Sequence, residues 1–289
     1  MEKVMSISKS SQVEEDLPQL PSSSSSTSSS YKLFSRRFFS LHGRDLFAAS
    51  ANWFLVDVVF YTSNLLLSQI LNVSNKPHNV YDSAFEVAKV AATVAVCSTI
   101  PGYWFTVYFI DRVGRVKIQI MGFFLMAVVY LVAGIPYSWY RSDHGYTSNK
   151  GFVVLYGLIF FFSNFGPNTT TFIIPAELFP ARFRSTCHGI SGAAGKLGAI
   201  VGTVGFLWGT KRDEEHKDVF PDVKRVRIAF LILGGVCIAG VLVTYFCTRE
   251  TMGRSLEENE EDEICAYSSA PGSPSASELP TITTQAIVF

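Results

Sequence analysis

Six stretches of roughly 20 mainly apolar residues, each about the length a helix needs to cross a bilayer, dominate this chain. They fall near 45–71, 83–109, 117–137, 151–176, 186–209 and 227–247, with the charged residues collected in short blocks between them. A soluble core helix would carry a polar face, and these segments mostly lack one. The expected fold is therefore an all-α membrane protein of six transmembrane helices.

The remaining sequence organises itself around those spans. Residues 1–44 read as a cytosolic segment, mostly disordered: Met1 to Ser30 is polar and ends in a serine run from Ser22, too little apolar surface to fold alone. No signal-peptide pattern opens the chain, so insertion is expected to rely on the first hydrophobic helix. Residues 45–248 form the six-helix bundle, and 249–289 read as a disordered cytosolic tail, acidic from Glu257 to Glu263 and then rich in Ser, Pro and Thr. With both ends cytosolic, the inner loops hold Arg112, Arg115, Lys117, Arg182 and Arg184, a modest basic bias in the expected direction. In that scheme the sequon Asn72-Val73-Ser74 faces outside, which permits glycosylation. Cys97, Cys187, Cys237 and Cys247 lie in or beside apolar segments and show no metal-ligand spacing, so reduced structural cysteines are expected.

Polar residues inside the spans carry the functional information, because a charge near the bilayer centre costs about 2.5–3.5 kcal/mol on insertion scales and normally faces the bundle interior. Asp57 lies near the middle of the first span, with Trp53 four residues before it and Tyr61 four after, all on one helical face. That stripe suits a small solute; the plainer reading is a buried carboxyl satisfied by neighbouring helices. Gly166-Pro167 should break the fourth span beside a cavity or polar partners, with Asn164 and Asn168 bracketing the break as ligand donors or as interhelical packing. The fifth span is built of small residues, among which Gly198 and Gly202 predict backbone-to-backbone packing. Within it Lys196 is placed to attract an anion or to pair with Asp57, snorkelling being the alternative. Glu86 and Lys89 read as interfacial. Two loop motifs remain. Asp111-Arg112-Val113-Gly114-Arg115 makes a tight charged turn, and Pro175 to Arg184 includes Glu177, Arg182 and Arg184. Together they can form a cytosolic ion-pair lattice that locks one conformation, or they are solvated topological charges.

Those two motifs, with Glu250-Thr251-Met252-Gly253-Arg254-Ser255-Leu256-Glu257-Glu258, resemble major facilitator superfamily motifs shared with sugar porters. The stretches Trp53–Tyr61, Gly102–Arg115, Gly134–Trp139 and Asn164–Gly192 are more specifically similar to plant plasma-membrane phosphate:proton symporters. The resemblance implies that Trp53, Asp57, Tyr61 and Asn168 bind phosphate, that Lys196 and Asn164 lie near the site, and that Asp57 couples protons. It also implies that the chain is the C-terminal six-helix bundle of a twelve-helix transporter, rocking against an N-terminal half around a midplane site. A protonated Asp57 would donate a hydrogen bond to the anion where an ionised one repels it, making proton and anion binding mutually favourable.

On this reading the expected partners are inorganic phosphate, protons, membrane lipids, and an N-terminal six-helix half or a full-length relative, and the expected location is the plasma membrane. Half a clamp cannot alternate, so the chain alone is expected to be inactive. Two alternatives stand beside it: a sugar porter-like facilitator, which the Asp57/Lys196 pair disfavours, and a transport-dead regulatory membrane subunit. No nucleophile–base pair, phosphate loop or metal cluster stands out, so neither an enzyme, a metal, a cofactor nor a nucleic-acid partner is expected.

Overall fold

The computed structural model describes residues 35–74, 80–134, 150–209 and 223–254, and every regular element among them is helical. In chain order these are α1 (Arg36–Ser74), α2 (Val80–Val94), a π-helical turn (Ala95–Thr99), α3 (Ile100–Val113), α4 (Arg115–Gly134), α5 (Lys150–Asn164), α6 (Pro167–Leu178), α7 (Ala181–Gly209) and α8 (Val223–Cys247). Five passes contain helix long and apolar enough to cross a membrane: in α1, α2–α3, α4, α7 and α8. The sixth is the α5–α6 pair, whose break leaves each half too short to span alone.

Two expected boundaries shift. The first helix starts at Arg36 rather than 45, because Phe38 and Leu46 are buried against Phe179 and Phe183 and hold the extra turns. At the other end, residues 249–254 are packed rather than part of a loose tail, as Arg249 and Glu250 bond into the bundle. The serine-rich segment before residue 35 and the tail beyond Arg254 lie outside the described residues, as does the loop 210–222.

Pro101 accounts for the π-helical turn: a proline cannot donate to the carbonyl four residues back, and the wider turn ahead of it relieves the clash. The expected break at Gly166-Pro167 is present, with Pro167 as the first residue of α6. The interrupted ladder leaves the Asn164 carbonyl without its intrahelical donor. Thr106 of α3 donates to it at 2.9 Å and Thr169 at 2.6 Å, so the break is satisfied within the protein.

Small residues set how closely the helices approach. A Cβ at Gly198 would sit 2.2 Å from the Phe54 carbonyl oxygen, and one at Gly202 2.7 Å from that of Val58. Helix α7 therefore lies backbone to backbone on α1, as the spacing of its glycines predicts. Gly198→Ala is expected to push the two helices apart and destabilise the fold by about 1–3 kcal/mol, the usual cost of overpacking. Thermal unfolding of the detergent-solubilised protein checks this; an unchanged midpoint would show that the contact is not tight.

Across the bundle, Tyr130, Tyr156, Phe123 and Phe230 fill the core between α4, α5 and α8. A polar chain crosses below them. Gln119 donates to the Thr244 hydroxyl at 2.9 Å and Thr170 donates to Gln119 at 2.6 Å, while Asn52 donates to Thr248 at 3.1 Å and lies 3.0 Å from Thr244. Four helices are thus cross-linked by fully paired side chains, the only form in which such groups are cheap away from water.

Candidate functional site

Trp53, Asp57 and Tyr61 stand at one-turn intervals on a single face of α1, and α7 supplies the surface opposite them. The indole of Trp53 is buried, and a Cβ at Gly195 would fall 2.3 Å from its ring. Glycine at 195 is therefore what lets α7 seat the tryptophan. One turn further along, the Lys196 Nζ lies 3.6 Å from Asp57 Oδ2 and 3.4 Å from the Tyr61 hydroxyl. Lys196 thus stands within ion-pair distance of Asp57, with an ammonium still accessible to an anion.

This pair is lopsided. Asp57 is 4% exposed, whereas the Lys196 side chain is 66% exposed. At 3.6 Å the ammonium is a charge partner but not a hydrogen-bond donor, and no described residue donates to Asp57 Oδ2. A buried carboxyl oxygen left in this state is costly unless a proton or a ligand O–H occupies it.

The end of α5 and the start of α6 bring the amide side chains, Asn164 and Asn168. Trp53 packs on Phe172 with ring centroids 4.4 Å apart, and below that contact Ala49 and Ile174 share one cluster. The Trp53–Phe172 contact seats α6 against α1 one turn before Asp57. Asn164 is completely buried and acts within the protein: it donates to the Phe160 carbonyl at 2.6 Å and accepts from Asn168 Nδ2 at 2.6 Å. Asn168 also donates to the Tyr103 hydroxyl of α3 at 3.0 Å. Tyr103 was not singled out by the sequence; its place two residues after Pro101 was the available signal.

At the end of the bundle where α3 turns into α4 and α6 into α7, the two loop motifs meet. Arg115 donates to both carboxylate oxygens of Glu177, at 2.9 and 2.7 Å, and pairs with Asp111 at 2.9 Å. The turn between α3 and α4 needs Gly114, which adopts φ +102° and lies where a Cβ would come 2.6 Å from Glu250. Arg112 instead stacks over Tyr108 at 3.9 Å, Arg182 over Phe183 at 4.3 Å, and Arg184 donates to the Phe179 carbonyl at 3.0 Å. Asp111, Arg115 and Glu177 are thereby joined in one ion-pair lattice.

Sequence reasoning missed the rest of it. Glu250 accepts from the backbone N–H groups of Arg115 at 2.9 Å and Val116 at 3.1 Å, capping α4 as an anion at its positive end. Thr251 donates to Glu177 at 2.6 Å, and Arg249 forms an ion pair with the buried Asp45. Glu250→Gln is expected to lower stability by about 1–2 kcal/mol, since a neutral amide caps a helix N-terminus more weakly than a carboxylate. An unchanged unfolding midpoint in the Gln variant would dispose of that cap.

Helices long and apolar enough to cross a membrane, one further pass broken at Gly166-Pro167, an intramembrane charged pair and an ion lattice at one end make this a multi-pass membrane protein. Residues 2–262 match the model of the sugar (and other) transporter family, and the chain belongs to that major facilitator family. It is 78% identical over 286 residues to the probable inorganic phosphate transporter 1-9 of Arabidopsis thaliana, which covers 96% of this chain and 52% of that protein. It is also 78% identical over 240 residues to the probable inorganic phosphate transporter 1-8 of the same plant, covering 81% of this chain and 45% of that one. Inorganic phosphate transporter 1-2 of Oryza sativa subsp. japonica is 45% identical over 257 residues, or 86% of this chain and 48% of the relative. The chain spans about half the length of these curated relatives.

Proposed function

We propose that this chain is the C-terminal half of a proton-coupled inorganic phosphate transporter of the plasma membrane, working with an N-terminal six-helix half. The observation that carries the reading is Asp57: a buried carboxyl whose Oδ2 has no described donor, beside an accessible ammonium and a phenol. Trp53, Asp57, Tyr61 and Asn168 are the proposed phosphate ligands. Lys196 supplies the positive charge an oxyanion needs. A proton on Asp57 removes the repulsion between carboxylate and anion and gives the anion a donor, so each solute favours the other's binding. A sugar would be better served by neutral hydrogen-bonding groups than by this charged pair. Exposed apolar side chains such as Trp104, Val107, Tyr245 and Phe246 suit a lipid surround.

Cells lacking phosphate uptake provide the test, with the chain expressed alone and beside an N-terminal six-helix half. Radiolabelled phosphate entering only when both halves are present, and faster in acid medium, is the expected result. No uptake in either case, with both halves at the cell surface, would overturn the proposal and favour a regulatory membrane subunit.

A further inference from the structure

The Asn164–Asn168–Tyr103 chain fixes which atoms α6 and α3 offer to a ligand. A carbonyl oxygen can only accept, so the Phe160 carbonyl at 2.6 Å dictates that Asn164 points its Nδ2 there and its Oδ1 toward Asn168. Asn168 must then present Nδ2 to Asn164. The second hydrogen of that same Nδ2 goes to the Tyr103 hydroxyl. Both donors of Asn168 are thereby consumed. Its Oδ1 has no donor among the described residues and is not shut away, and Tyr103, whose oxygen already accepts, keeps an O–H proton to give. Side by side, then, stand one acceptor and one donor.

We infer that this pair selects a protonated oxyanion, with Asn168 Oδ1 accepting a P–OH hydrogen and the Tyr103 hydroxyl donating to an unprotonated phosphate oxygen. The inference rests on the phosphate reading of the site and goes beyond it, assigning Asn164 as a positioning residue and Tyr103 as a further ligand. Its consequence is discrimination. Mono- and dihydrogen phosphate each carry both a P–OH and a bare oxygen. Sulfate at neutral pH carries no proton, so one of its oxygens would face Asn168 Oδ1 lone pair to lone pair. Once a bound anion covers it, an acceptor set against another acceptor rejects a ligand far more strongly than a missing apolar contact does. Without Asn164 the Asn168 amide is free to turn its NH2 group to the ligand, and the basis for rejecting sulfate disappears.

The test uses cells carrying both halves and reads labelled phosphate uptake and its inhibition by sulfate, normalised to surface protein. Wild type is expected to resist a large excess of sulfate. Asn164→Leu, which removes the anchor and keeps the bulk, is expected to lower the ratio of sulfate's inhibition constant to the phosphate KM at least about tenfold. A merely structural role would weaken both anions together and leave their ratio alone, and that outcome overturns the inference. Tyr103→Phe provides an independent arm that leaves the Asn164 anchor in place: phosphate KM should rise about three- to tenfold with sulfate still rejected. An unchanged KM in that variant overturns the assignment of Tyr103 even if Asn164→Leu fails to reach the surface. Absence of phosphate uptake by wild type overturns the phosphate reading itself, whereas normal wild-type uptake with unaltered selectivity in Asn164→Leu and an unaltered KM in Tyr103→Phe overturns only the present one.

Discussion

Asp57→Asn is expected to abolish acid-driven phosphate accumulation, by at least about tenfold or ~1.4 kcal/mol of coupling, while leaving the protein in the membrane. The substitution keeps the shape of the side chain and provides an amide N–H that can still bond an oxyanion. It removes the one property that the coupling needs, a proton that arrives with the anion and leaves with it. Folding should survive, because the partner Lys196 is largely exposed and is not left as a stranded buried charge. The informative measurement separates two modes of the same carrier. Vesicles preloaded with phosphate and held at equal pH should still exchange it for labelled phosphate from outside. The same vesicles given an inward proton gradient should no longer concentrate it. Full accumulation in the Asn variant would remove Asp57 from proton coupling, and loss of both modes would make it a plain binding residue.

How much of this could be read beforehand follows from the range of each interaction. Hydropathy over 20 residues reports burial in lipid, so six passes were visible, as was the break at Gly166-Pro167, which depends on one proline. The Asp57 stripe was visible too, because four-residue spacing is a local property of a helix. Lys196 was harder: its position in a glycine-rich helix allowed pairing or snorkelling, and only the register between α7 and α1 puts it within ion-pair distance of Asp57. Contacts made across hundreds of residues left no local mark. Asn52 meets Thr244 and Thr248, Asp45 meets Arg249, and Glu250 caps α4, and in each case the partners lie on helices whose adjacency depends on the whole bundle. The early start of α1 belongs to the same class, since Phe38 is held by Phe183. Tyr103 shows a subtler limit. A tyrosine two residues after a proline looks like interfacial packing until a wide helical turn rotates it toward Asn168.

Loosening the ion-pair lattice between the α3–α4 turn and the end of α6 should produce the other large effect. Glu177 receives two charge-assisted bonds from Arg115 and one from Thr251, while Arg115 also holds Asp111 and the Ile110 carbonyl. Each charge-assisted bond contributes about 1.5–3 kcal/mol, so Glu177→Gln, which removes the carboxylate charge and keeps the shape, is expected to make opening at this end roughly tenfold to a hundredfold more frequent. Cys187 reports it. Its thiol is fully buried in the cluster with Phe38, Phe179 and Phe183, beside the loop that Glu177 precedes. With Cys97, Cys247 and Cys265 replaced by Ser and the buried Cys237 by Ala, a thiol reagent should label Cys187 faster in the Gln variant by that factor. Exchanging the two charges, Arg115→Glu with Glu177→Arg, should recover only part of the loss. The new acid at 115 would sit among Asp111 and Glu250, and the new arginine could accept nothing from Thr251. Complete recovery by the swap would mean that the Arg115–Glu177 pair acts alone, and an unaltered labelling rate in Glu177→Gln would mean that the lattice does not hold this end closed.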